Sequence, residues 1–128
     1  MQNIFLFISG ISGFIAVSLG ALGSHYLKTK ITAEQLATFE KGVFYQFIHT
    51  IAILALVVLM NKMRSRTLIA AGLFFIAGIF FFSGSLYLLS LREFFNIQNL
   101  YFPGILTPIG GLFFISGWIM VGAGAFRT

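Results

Sequence analysis

The chain contains no cysteine and no aspartate, and its only acidic residues are Glu34, Glu40 and Glu93. Without a thiol there is no disulfide, no thiolate nucleophile and no iron–sulfur ligation. The redox state of the compartment therefore leaves no mark on the sequence. Charge of either sign is scarce: Asp, Glu, Lys and Arg make up 9 % of the residues, against about a quarter in soluble globular domains. So few charges cannot cover a surface that faces water. Proline is rare as well, with only Pro103 and Pro108.

What fills the chain instead is apolar. Hydrophobic residues account for 59 %, and there are seventeen phenylalanines and fourteen glycines in 128 residues. A bilayer core of about 30 Å needs roughly 20 apolar residues per helix. Four runs supply them, at about Ile4 to Gly23, Phe44 to Met60, Leu68 to Leu89 and Ile105 to Phe126, none with an internal Lys, Arg or Glu. No period-two alternation interrupts them, so they are helices and not barrel strands. The first run exceeds the length of a signal-peptide core and no Lys or Arg precedes it, which reads as a retained span. The expected fold is a single all-α domain over 1–128, a membrane bundle of four transmembrane helices.

The net charge of +5 comes from eight Lys and Arg scattered among connectors and ends. They form no stripe, which excludes a nucleic-acid partner, and basic connectors beside apolar spans suit anionic membrane lipids. Lys62, Arg64, Arg66 and Arg127 would share one side, and Lys28, Lys30, Lys41 and Arg92 the other. The tightest cluster is in the short second connector, which favours both termini in the cytoplasm.

Within the first long connector, Thr32 and Gln35 match a capping box ahead of "AEQLATFEKG". This predicts a short interfacial helix, with Gly42 allowing a bend before the second span. Thr107 followed by Pro108 predicts the cap and first residue of the fourth span. Small residues recur at helical spacing and predict close packing. They are Ser12, Ala16, Gly20 and Ser24 on the first span, Ala71, Gly78 and Ser85 on the third, with Ala70, Ala77 and Gly84 beside them, and Gly110, Gly117 and Gly124 on the fourth.

In an up-and-down bundle, four polar stretches meet near one membrane face: "GALGSHYL", "YQFIH", "FSGSLY" and "TPIGG". They contribute His25, Tyr45, Gln46, His49, Ser83, Ser85, Tyr87 and Thr107, with Glu40 at the edge. Two roles fit His49: a neutral imidazole tying helices together, or a proton-exchanging or ligand-contacting group. Two histidines without further ligands at close spacing do not make a metal site. Ser83 or Ser85 with His49 lacks the acidic third member of a hydrolytic set.

These four stretches resemble domain of unknown function 423, also called uncharacterised protein family 0382, whose mammalian relative is transmembrane protein 256. The family pattern is similar to Gly20-Ala21-Leu22-Gly23-Ser24-His25, Tyr45 to His49, Phe82 to Tyr87, and Thr107 to Gly111 with Gly117-Trp118. Leu22, Ser24 and Thr50 stand where that pattern has Phe, Ala and Ala. The resemblance implies a multi-pass protein of the bacterial cell membrane and supplies no activity or cofactor. The expected role is non-enzymatic: structural, accessory, or binding lipid or a protein partner (a second copy included) through the polar face. The alternative is transport of a small solute or protons by an oligomer.

Overall fold

The structure is a computed structural model that describes residues 1–126, so Arg127 lies outside the described residues. The order is α1 (Gln2–His25), a 3-10 turn (Leu27–Thr29), α2 (Ala33–Lys62), α3 (Arg66–Gly78), a π-helical turn (Ile79–Ser83), α4 (Gly84–Leu91) and α5 (Pro103–Gly124). The π turn joins α3 to α4 without a break, so Arg66–Leu91 is one long helix. Among the described residues four helices are long and apolar enough to cross a membrane. The protein is all-α, as the composition requires.

Local sequence explains the helix limits. Thr32 and Gln35 form the expected capping box: the Gln35 N–H donates to Thr32 Oγ1 at 3.1 Å, and the Thr32 N–H to Gln35 Oε1 at 3.0 Å. The helix it starts differs from expectation in length. It runs unbroken through Gly42 to Lys62, so the connector helix is the first three turns of α2 and not a separate element. No Pro or second Gly lies near Gly42 to stop propagation, and a lone Gly costs a helix only about 1 kcal/mol.

The fourth span corrects a second expectation. α5 begins at Pro103, with Phe102 as cap, and Pro108 lies inside it. Pro103 takes the first helical position because its missing N–H is not needed there. Pro108 is tolerated because the residue four before it is Gly104, which has no side chain to crowd the displaced carbonyl. Thr107 is therefore not a cap, and its hydroxyl bonds back to the Pro103 carbonyl at 3.2 Å.

α1 packs on α2, α2 on the third span, and the third span on α5. The two central helices thus carry one flanking helix each. A dry core of Phe5, Ile53, Leu56, Met60, Leu68, Ala71, Phe75 and Phe114 fills the half of the bundle towards the second connector. The outer faces carry exposed Phe7, Phe14, Phe80 and Ile119, as lipid-facing surfaces do.

Glycine decides how closely the helices approach. A Cβ on Gly110 would fall on the backbone N, Cα and Cβ of Phe82, so α5 meets the π turn main chain to side-chain-free main chain. Gly117 receives the Phe75 ring, at 2.6 Å from where its Cβ would be, and Gly124 receives Leu68. Gly20 makes only an ordinary contact with Val43, and Gly84, expected to pack, has no neighbour within 4 Å. The π turn is the reason for the last. It lies between Gly78 and Gly84, and its wider winding changes their angular offset, so that Gly78 meets Phe114 and Gly84 does not face a neighbour. Gly78, marked by its seven-residue spacing, is tight beneath Phe114, and Gly42 beneath Tyr87 and Gly72 beneath Phe5 are equally tight positions that spacing did not single out.

Candidate functional site: a polar lock at mid-depth

Ser12 lies near the middle of α1, and Gln46, His49 and Thr50 near the middle of α2. At 1.5 Å per residue this puts His49 roughly 20 Å from the Lys62 end of its helix. The sequence suggested a cluster at one membrane face. The structure places its heart deeper, because α2 starts three turns before the apolar run and its polar residues pair with mid-helix Ser12.

The first part of the cluster is a closed ring of hydrogen bonds. The Gln46 amide Nε2 donates to the Ser12 carbonyl at 3.0 Å and reaches Ser12 Oγ at 3.3 Å. Thr50 Oγ1 donates to the Gln46 carbonyl at 2.7 Å, which leaves Ser12 Oγ to donate to Thr50 Oγ1, also at 2.7 Å. From the third span, the Tyr87 hydroxyl donates to Gln46 Oε1 at 2.6 Å. Three helices are joined through one glutamine side chain. In lipid such bonds help where hydrophobic drive between helices is small.

The second part centres on His49, which is 4 % exposed. The Trp118 indole N–H, a donor only, gives its proton to His49 Nε2 at 3.1 Å. His49 Nε2 must then be the acceptor, and Nδ1–H donates to the Tyr45 carbonyl at 2.7 Å. The partners alone define a neutral imidazole with the proton on Nδ1. The ring lies parallel to Phe114 at 3.6 Å between centroids and meets the edge of Phe75 at 5.3 Å. Both nitrogens are bonded, and Phe114 covers one face of the ring.

The third part closes the π turn. Ser83 Oγ donates to the Gly42 carbonyl at 2.7 Å, tying the third span to α2. Ser85 Oγ lies 2.8 Å from the Phe82 carbonyl and 2.6 Å from Thr107 Oγ1, tying it to α5. Neither serine is bonded to His49, so no nucleophile–base pair forms there. Among the described residues no three His, Cys, Asp or Glu side chains gather as metal ligands would.

Of the residues picked from the sequence, Gln46, His49, Ser83, Ser85, Tyr87 and Thr107 join this lock. Tyr45 contributes its carbonyl, and its ring packs on Phe82 at 4.7 Å. His25 and Glu40 stand outside it, both exposed. Ser12, Thr50 and Trp118 belong to the lock without being marked as site residues by the sequence. Ser12 looked like one more small packing residue. The signal for Thr50 was its place four residues after Gln46, and for Trp118 a lone indole within a span, whose N–H needs an acceptor in lipid.

A different polar surface forms where the first and third connectors meet. Gln35 Nε2 donates to Glu93 Oε2 at 2.8 Å, and the Tyr26 and Phe94 rings meet edge to face at 6.4 Å. A cleft of about 480 Å³ beside them is lined by Glu34, Gln35, Thr38, Ser90, Arg92 and Glu93.

A family model described as "Protein of unknown function (DUF423)" matches residues 19–111. The chain belongs to the DUF423 family. UPF0382 inner membrane protein YgdD of Escherichia coli (strain K12) is 38 % identical over 95 % of this chain and 88 % of its own length. UPF0382 membrane protein SSP2132 of Staphylococcus saprophyticus is 36 % identical over 98 % and 99 %, and UPF0382 membrane protein YwdK of Bacillus subtilis (strain 168) 34 % identical over 98 % of each. No solved structure matches. The DUF423 match spans Gln46, His49, Ser83, Ser85, Tyr87 and Thr107 but neither Ser12 nor Trp118. This family member is a multi-pass integral membrane protein.

Proposed function

We propose that this DUF423 protein acts without catalysis, as a small structural or accessory subunit whose interior polar residues hold the helices in register. Its outward contact is made through the polar end, where the cleft between the first and third connectors receives a lipid or a membrane-protein partner. One observation carries the reading: His49 has both nitrogens bonded, to Trp118 and to the Tyr45 carbonyl. Neither partner, an indole N–H or a backbone carbonyl, is a group that ordinarily takes part in general acid–base proton transfer.

The interior beyond Thr50 supports the same reading over transport. Ile53, Leu56, Met60, Leu68 and Phe75 fill it, and a polar route would have to cross that stretch. The clustering of Lys62, Arg64 and Arg66 in the second connector favours both termini in the cytoplasm and the contact cleft on the opposite side.

Site-specific photo-crosslinking in native membranes tests the proposal. A crosslinker at Glu34 or Thr38 is expected to give a discrete adduct, to lipid, a second copy or another protein. The same probe at lipid-facing Phe14 should give only diffuse products. Equal diffuse labelling at all three positions would sink the contact assignment, and a substrate turned over by the purified chain would sink the non-catalytic one.

A further inference from the structure

At the opposite end of the bundle, a cleft of about 490 Å³ is lined by Met1, Gln2, Met60, Met63, Arg64, Ser65, Arg66 and Ile69. Three features of its wall have a common direction. Arg64 and Arg66 bring two guanidinium groups, and Lys62 lies just before them, whereas Glu34, Glu40 and Glu93 all belong to the other end. α3 starts at Arg66 with no side-chain cap, so its first-turn N–H groups lack intrahelical partners. Ser65, at the cap position itself, is 6 % exposed, and its hydroxyl is buried without a hydrogen-bond partner among the described residues.

Each feature alone is ordinary, but together they describe a site built for a negative oxygen-rich group. Helix N-termini and guanidinium forks are the two commonest ways a protein holds a phosphate. A phosphate oxygen would also give the Ser65 hydroxyl the partner that a buried donor requires. The rest of the wall is apolar: Met60, Met63 and Ile69. A free anion has no use for that half. A phospholipid does, because its acyl chains can follow the partly exposed Met63 and Ile69 into the bilayer while its headgroup stays at the Arg64–Arg66 level.

We infer that the Arg64–Ser65–Arg66 cleft binds the phosphate of an anionic phospholipid, with its acyl chains along Met63 and Ile69. The site lies at the opposite end from the contact cleft proposed above and does not depend on it.

Native mass spectrometry of the full chain in detergent tests this, with phosphatidylglycerol and phosphatidylcholine offered in turn. Two basic residues near a membrane surface should favour the anionic lipid by about 10- to 30-fold. That preference is expected to vanish in the Arg64→Gln/Arg66→Gln double variant, whose altered side chains are exposed in the native fold. Ser65→Ala should weaken retention while leaving the thermal midpoint unchanged or higher, since it removes an unpaired hydroxyl. A fall in its midpoint with unchanged lipid retention would show that the hydroxyl serves the fold, and would overturn its role here. Equal retention of the two lipids, or an unaltered preference in the double variant, overturns the site. Displacement of phosphatidylglycerol by millimolar inorganic phosphate would overturn the lipid assignment in favour of a free anion.

Discussion

Replacing Gln46 by Met and Tyr87 by Phe, singly and together, asks how much the ring at mid-depth holds. Met keeps the length of the side chain and removes every hydrogen bond its amide makes. Those are the 2.6 Å bond from Tyr87 and the contacts with Ser12 at 3.0 and 3.3 Å. Hydrogen bonds between membrane helices average about 0.6 kcal/mol and reach about 1.7 kcal/mol, so the loss of the set should cost about 2 kcal/mol. Tyr87→Phe removes one bond and leaves Gln46 Oε1 buried without a donor, which should cost about 1 kcal/mol. The Tyr87 ring keeps its packing on Gly42 and Phe39. The double variant should therefore lose less than the sum of the single ones, with a coupling of about 1 kcal/mol, the upper part of the range befitting so short a bond. Unfolding in mixed micelles by added dodecyl sulfate measures all four proteins on one scale. A coupling within about 0.3 kcal/mol of zero, the scatter of independent sites, would refute the argument that Gln46 joins α2 to the third span.

Gly110→Ala and Gly84→Ala make a matched pair in the same assay. The first sets a methyl against the Phe82 main chain and should destabilise by about 1–3 kcal/mol, whereas the second meets open space and should be neutral or stabilising by up to about 1 kcal/mol; equal effects would mean that the close approach at the π turn is not what holds α5. Nitrogen-15 spectra of labelled His49 should show the proton on Nδ1, and Trp118→Phe should alter the Nε2 resonance; a dominant Nε2–H form in the unaltered protein contradicts the bonding described. His25→Ala and Glu40→Gln, both exposed and outside the lock, should each change stability by less than about 0.5 kcal/mol; a larger loss in either would place that residue in the fold's polar network after all.

Composition and spacing determined more of this protein than is usual. Almost no charge, four long apolar runs and connectors carrying all the acidic residues leave an all-α membrane bundle as the only arrangement that satisfies the backbone in lipid. The capping box at Thr32 and Gln35 and the seven-residue glycine repeat of α5 follow from purely local rules, and both stand in the structure. Gln46, His49, Ser83, Ser85, Tyr87 and Thr107 also find hydrogen-bond partners, as polar side chains inside a span must, whereas His25 and Glu40 lie exposed outside the lock.

What those partners are was decided only in three dimensions. Ser12 and Thr50 are thirty-eight positions apart, and Trp118 and His49 sixty-nine. No periodicity links residues on different helices, because their pairing depends on relative depth and rotation. Depth in turn followed from two events that local rules did not anticipate. α2 absorbed its connector, and a π turn rewound the third span. The first brought His49 to the middle of its helix; the second lies between Gly78, which packs on Phe114, and Gly84, which meets nothing, and it carries Ser83, which bonds the Gly42 carbonyl. A helix's existence is set by the residues within it. Its register against a neighbour is set by which side chains can enter which gaps, and that is a property of the assembled bundle.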